Sequence, residues 1–210
     1  MTQFDFLVHA PEEIRSQGDD IHTSYFTIDT ADLLTFYEWY HFNPLIVTFA
    51  CDKNEVVGYY NIYPITTECG QLFDEQAIKE EDLTTDHLLP AESMHHAQYA
   101  YIASIAIKDR QSYRSRQCAA AIIAVMADNL LNGFDLKNLK RIYANPTTFN
   151  GNTMVRKLGL KPVISHNKPL KGNDIYALDI TPESIERLRY FADRYRRFIL
   201  RNPWENKPEI

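Results

Sequence analysis

The nine residues from Tyr99 to Ile107, Tyr-Ala-Tyr-Ile-Ala-Ser-Ile-Ala-Ile, are apolar on both alternating faces. A strand with no polar face belongs in the middle of a sheet that is covered on both sides. A helical run follows from about Gln117 to Leu131, stopped by Asn132-Gly133, and Lys140 to Ala144 reads as a short strand. Strand, helix and strand in that order predict a parallel crossover. Upstream, Leu45–Cys51 and Glu55–Tyr63 are β-rich runs on either side of the turn-forming Asp52-Lys53-Asn54, the pattern of an antiparallel hairpin. Downstream, Asn150 to Leu158 reads as a helix ended by Gly159, and Asp174 to Ile180 as a strand. The order β–β–β–α–β–α–β predicts an α/β fold with a central mixed sheet flanked by helices.

Proline followed by two carboxylates at Pro11-Glu12-Glu13 suits a helix start. A second helix is expected from Asp29 or Thr30 as N-cap, with Leu33, Leu34, Phe36, Tyr37 and Tyr40 on one broad face, ending before Asn43-Pro44. From Thr66 to Gln98 the periodicity is lost and acids accumulate among apolar anchors, which predicts an excursion with one short helix packed over a cleft. Thr181-Pro182-Glu183 opens a last amphipathic helix, its stripe formed by Ile185, Leu188, Phe191, Ala192, Tyr195, Phe198 and Ile199. Glu186 with Arg189 and Asp193 with Arg197 are spaced for intrahelical pairs. Residues 1–180 are therefore expected to form one domain. Residues 181–210 form a helical extension packed on that domain or on a partner, including a second copy in a homodimer.

At 210 residues and 45% hydrophobic content, the chain can bury a substantial core. A formal charge of −6 leaves no surplus of cations for phosphate, so nucleic acid and anionic membranes are not expected partners. The longest apolar stretch, Ala119 to Ala127, falls far short of the ~20 residues that cross a bilayer. Met1 to Phe6 lacks the cationic start and apolar core of a secretory signal. Cys51, Cys69 and Cys118 form an odd set without metal-ligand spacing, consistent with free thiols in a reducing, cytoplasmic compartment and with no metal site.

The stretch from Glu55 to Pro162 resembles the core of the GNAT superfamily of acyl-CoA-dependent N-acyltransferases. In that family a hairpin leads to a central strand and then to a Gln/Arg-x-x-Gly-x-Gly/Ala turn that opens a helix. The corresponding residues here are Arg114, Ser115, Arg116, Gln117, Cys118 and Ala119, with Gln117 at the first glycine position. Backbone N–H groups at such a helix start form a nest for a diphosphate. The run Asn150-Gly-Asn-Thr-Met-Val-Arg-Lys-Leu-Gly-Leu-Lys-Pro162 is similar to the family's asparagine-led helix ending in Leu-Gly-Phe-Lys.

The resemblance implies acetyl-CoA as co-substrate. Its pantetheine amides would pair with the backbone of Ile105, Ala106 and Ile107, and its thiol end would lie near Asn145, Asn150 or Asn152. Each asparagine serves equally well as a turn or cap residue. Where the family often carries a tyrosine general acid this chain has Val155, so Tyr143, Tyr101 or a water would have to protonate the thiolate. Glu68, just after the hairpin, is the first choice of base for the attacking amine, with His95 and His96 as substitutes. The acids from Glu68 to Asp86 would attract a cationic small-molecule or peptide amine, or merely keep the surface soluble. Two functions follow: transfer of an acetyl group to a primary amine by direct attack, or a catalytically degenerate binding or regulatory protein on the same fold.

Overall fold

A computed structural model describes residues 4–25, 33–109, 112–163 and 175–201. Seven strands form one sheet in the order β1-β2-β3-β4-β5-β7-β6. The hairpin is β2 (Val47–Asp52) with β3 (Glu55–Ile65), flanked by the edge strand β1 (Asp5–Leu7). β3 pairs antiparallel with β4 (Tyr99–Ile107), which takes the central place in the sheet that its two-sided apolar pattern calls for. β4 then runs parallel to β5 (Arg141–Ala144), joined by the crossover helix α4 (Tyr113–Asn132). β5 pairs antiparallel with β7 (Tyr176–Asp179), and β7 with the two-residue strand β6 (Lys161–Pro162).

Two apolar layers cover the sheet. One face packs against α4 and the last helix, α6 (Pro182–Arg201); Leu188 and Ala192 of α6 join Ile122, Met126 and Leu130 in this core. Gly58 of β3 allows the close approach of α4, since a Cβ there would stand 2.7 Å from the Ala106 carbonyl and 2.8 Å from Ile122 Cδ1. The other face is covered by α1 (Glu12–Tyr25), α2 (Leu33–Phe42) and α3 (Thr67–Asp74), whose Ile14, Trp39 and Phe73 pack on Tyr59, Tyr63 and Tyr101. The excursion after β3 holds α3 and then three 3-10 turns, more regular structure than the single short helix its sequence predicts.

The start expected for α1 and the boundaries expected for β2, β3, β4 and β5 hold to within a few residues. α5 spans Phe149–Leu158, with Thr148 as N-cap and Gly159 closing it at φ 99, a left-handed conformation that favours glycine. The caps proposed for α2, Asp29 and Thr30, and the first residue proposed for β7, Asp174, lie outside the described residues. On α6 the Glu186–Arg189 pair forms at 2.5 Å, but Asp193 pairs with Arg196 at 3.4 Å while Arg197 bonds its carbonyl. Among the described residues no helix is long and apolar enough to cross a membrane.

One expectation is corrected. The turn proposed at Arg114–Ala119, with a helix from about Gln117, is already helix: α4 starts at Tyr113. Ser112 is its N-cap, and the Ser112 side chain accepts from the Ser115 amide at 3.1 Å. With a capping serine in front and no glycine between Ser112 and Asn132, nothing in the local sequence delays helix formation.

Candidate functional site

β4 and β5 pair only from Tyr99–Arg141 to Ile102–Ala144. Beyond Ile102 the two strands part. The register of β3 on β4 shifts between Asn61 and Ile62, so that Asn61 faces Ser104 while Ile62 faces Ile102, and Ala103 is the extra residue of a bulge. The bulge bends β4 away from β5 and leaves its backbone edge from Ala103 onward without a strand partner on that side among the described residues. A cleft of about 180 Å³ opens there, between Ala103–Ile105 on one wall and Asn145, Met154 and Val155 on the other. It is mostly apolar, with one buried polar atom, Asn145 Oδ1, that has no partner among the described residues. Such a slot accepts an extended chain carrying a few amide groups, which can extend the sheet as a strand would.

Of the residues singled out from sequence, Ile105, Asn145, Asn150 and Val155 line this cleft. Ala106 and Ile107 lie farther along the same strand, paired on their other edge with Tyr59 and Gly58. Asn152 instead donates to the carbonyls of Pro146 and Thr148, a turn role. Tyr143 is fully buried outside the cleft; its hydroxyl lies 2.9 Å from both the Gly70 carbonyl and Asp74 Oδ1, and burial raises its pKa far out of the neutral range. Asp74 in turn pairs with Arg141 at 2.5 Å. Tyr143→Phe is therefore expected to cost about 1–2 kcal/mol of stability in a denaturant titration, the loss typical of a buried hydrogen bond, with turnover unchanged. A large loss of turnover without loss of stability would restore Tyr143 to the chemistry. Glu68, His95 and His96 are solvent-exposed. The three thiols are inert in this setting: burial pushes Cys51 up to about 11 and Cys69 and Cys118 up to about 12.

At the far end of β4, the diphosphate residues proposed from sequence lie on the first turns of α4. Ser115 is buried, its hydroxyl bonded to the Lys108 carbonyl at 3.2 Å and to that of Asp109. Gln117 and Cys118 are fully buried, and neither side-chain amide atom of Gln117 has a partner among the described residues. Arg116 is exposed, Ala119 half-buried, and Arg114 pairs with Asp52 at 2.6 Å and with Glu55 at 3.4 Å.

A carboxylate that sequence reasoning passed over lies over the face of β4 that carries Tyr101. Glu80, partly buried in the excursion after α3, accepts the Tyr101 hydroxyl at 2.9 Å. Burial pushes its carboxyl up to about 7, more than the Tyr101 hydrogen bond brings it down. Its charge acts on Tyr59, Tyr63 and Tyr101. Tyr59 links this cluster to the cleft, its hydroxyl beside that of Ser104. On its other side the Tyr59 hydroxyl is 2.9 Å from His22 Nδ1, and Asp19 stands next to His22. A larger cavity of about 570 Å³ lies away from the splay, between Asp74, β7 and the start of α6; its Arg141, Lys161 and Arg187 are matched by Asp74, Asp179 and Glu183. No group of metal ligands occurs among the described residues.

A mixed sheet that splays at a bulge between two parallel strands, with the crossover helix starting at the open end, is the architecture of the GNAT fold, and the chain adopts it. It superposes with a TM-score of 0.53 on a GNAT family N-acetyltransferase from Escherichia coli solved with CoA, at 13% identity over 88% of this chain and 86% of that one. A protein from Pyrococcus horikoshii gives 0.53 at 8% identity, covering 85% and 99% of the two chains. The N-acetylglutamate synthase of Neisseria gonorrhoeae, solved with coenzyme A and N-acetyl-glutamate, gives 0.51 at 10% identity over 85% of this chain and 35% of that one. No protein-family model and no curated protein sequence matches the chain.

Proposed function

We propose that this chain is an acyl-CoA-dependent N-acyltransferase that moves an acetyl group from acetyl-CoA to a primary amine. The observation that carries the reading is the splay of β4 from β5: it leaves an unpaired strand edge along an apolar slot, suited to the two amides of a pantetheine arm. The thioester would lie at the bulge, where backbone N–H groups beyond Ile102 polarise its carbonyl. The amine would arrive from the face carrying Glu80. Glu80 first takes the ammonium proton, directly or through water; the freed amine then attacks, the C–N bond forms, the C–S bond breaks, and the second proton lost by the nitrogen passes through water to the departing thiolate. Among the residues lining the cleft there is no tyrosine for that last step, and Val155 stands in its wall. Glu80 and Asp19, both on the acceptor face and both acting on Tyr59, favour a cationic acceptor.

Calorimetric titration with acetyl-CoA tests the reading. Binding at micromolar concentration is expected, followed by thiol release when a panel of primary amines is added. Folded protein that takes up no heat at millimolar acetyl-CoA would overturn it. A second reading, a binding or regulatory domain without turnover, is favoured by Val155 and by the glycine-free start of α4. It predicts no thiol release to any amine of the panel, with acetyl-CoA binding weak or absent.

A further inference from the structure

At the open end of the cleft β4 runs into Lys108 and Asp109 and then into α4. Between Ser104 and Lys108, four residues of strand cover roughly 13 Å at about 3.3 Å each, a distance suited to an extended pantetheine arm. Whatever follows that arm arrives at a second cavity of about 190 Å³, where Lys108, Ser112, Arg114 and Ser115 face Glu55 and Asp109. In a CoA donor the next group is the diphosphate, and the start of α4 with its two cations is suited to an anion.

Those cations are already engaged. Glu55 Oε1 accepts from Lys108 Nζ at 2.9 Å, and Glu55 Oε2 lies 3.4 Å from Arg114, which also holds Asp52 at 2.6 Å. The Lys108 hydrogen bond holds the Glu55 carboxyl below the usual range, so it is ionised throughout the neutral region. Glu55 opens β3 at the hairpin turn, 59 residues from Arg114 in the chain, and its side chain is about half exposed (46%). It is therefore free to be displaced, whereas Asp52, 18% exposed, is more enclosed.

We propose that Glu55 is a specificity-determining carboxylate, which competes with the donor's diphosphate for Lys108 and Arg114 and thereby weakens CoA relative to a thioester that lacks the diphosphate. The inference rests on the donor-cleft reading above. It differs from loss of the site: the cations remain in place, but an anion from the chain itself must be moved off them before a diphosphate can bind.

Wild type, Glu55→Gln and Glu55→Asp would be titrated with CoA by calorimetry and with pantetheine by NMR amide shifts. Glutamine keeps the side chain's size and hydrogen-bonding capacity and removes the charge. CoA affinity is expected to rise on the order of tenfold in Glu55→Gln, the scale of removing one half-exposed competing charge. Pantetheine affinity should stay unchanged, and Glu55→Asp should behave as wild type towards both. The proposal is overturned if pantetheine binds both forms while CoA binds Glu55→Gln no more tightly than wild type. An equal gain for both compounds would also overturn it, because glutamine would then be acting on the fold and not on phosphate. If neither compound binds any form, the donor-cleft reading itself fails and takes this one with it.

Discussion

Glu80→Gln is expected to lower kcat by about 10²–10⁴-fold, the usual range for removing a general base, while making the folded protein more stable above neutral pH. Both effects have one cause. Burial raises the folded-state pKa of Glu80 from 4.5 to about 7. Below about pH 4.5 the carboxyl is protonated in folded and unfolded chains alike, so it costs nothing. As pH rises through the interval, the unfolded chain releases the proton while the fold retains it, and stability falls until both are ionised above about 7. At 1.36 kcal/mol per unit the full penalty is about 3 kcal/mol. Glutamine removes it, so the variant's advantage in unfolding free energy should be absent near pH 4 and reach a plateau by pH 8. In the wild type, kcat/KM should rise with pH to a plateau, with an apparent pKa near 7 that the variant lacks. A wild-type profile flat from pH 5.5 to 8, or a variant that keeps full turnover, would remove Glu80 from the chemistry.

Phe73→Ala should cost about 3–5 kcal/mol of stability, a large share of what a domain of this size possesses. Phe73 is fully buried on α3 and stacks on Tyr101 at 5.0 Å with an interplanar angle of 7°, and on Tyr143 at 5.3 Å. It holds the excursion down on β4 and β5 at the place where Tyr101 donates to Glu80. Truncation leaves a void under α3 and loosens the ring that orients the carboxylate. In urea titrations the midpoint should fall with the slope unchanged, and residual turnover should fall below that of Phe73→Leu, which fills more of the space. A loss under about 1 kcal/mol would mean that α3 is held by other contacts.

The site was less legible in the sequence than the fold, and particular residues show why. Glu68 and Glu80 are both acids in one aperiodic stretch, with nothing local to rank them. Their fates diverge because Glu80 meets Tyr101, 21 residues away, whereas Glu68 on the first turn of α3 is exposed. Tyr143 is one of the substitutes that the family resemblance leaves for the acid missing at Val155, but its hydroxyl meets Gly70 and Asp74, about seventy residues earlier in the chain. The segment after β4 is marked by Arg114 and its neighbours, yet the partners of Arg114 come from the hairpin turn.

The sequence by itself determined the elements and their order. Periods of two and 3.6, glycine and proline punctuation and capping residues act over a few positions, and they sufficed for the hairpin, the doubly buried β4, the crossover helix and the αL stop at Gly159. Tertiary structure alone decided the bulge at Ala103, the parting of β4 from β5, the raised pKa of Glu80 and the occupation of Lys108 and Arg114 by Glu55. Each of these depends on desolvation, charge or strand register between groups distant in the chain, and such energies arise only when the fold brings the groups together.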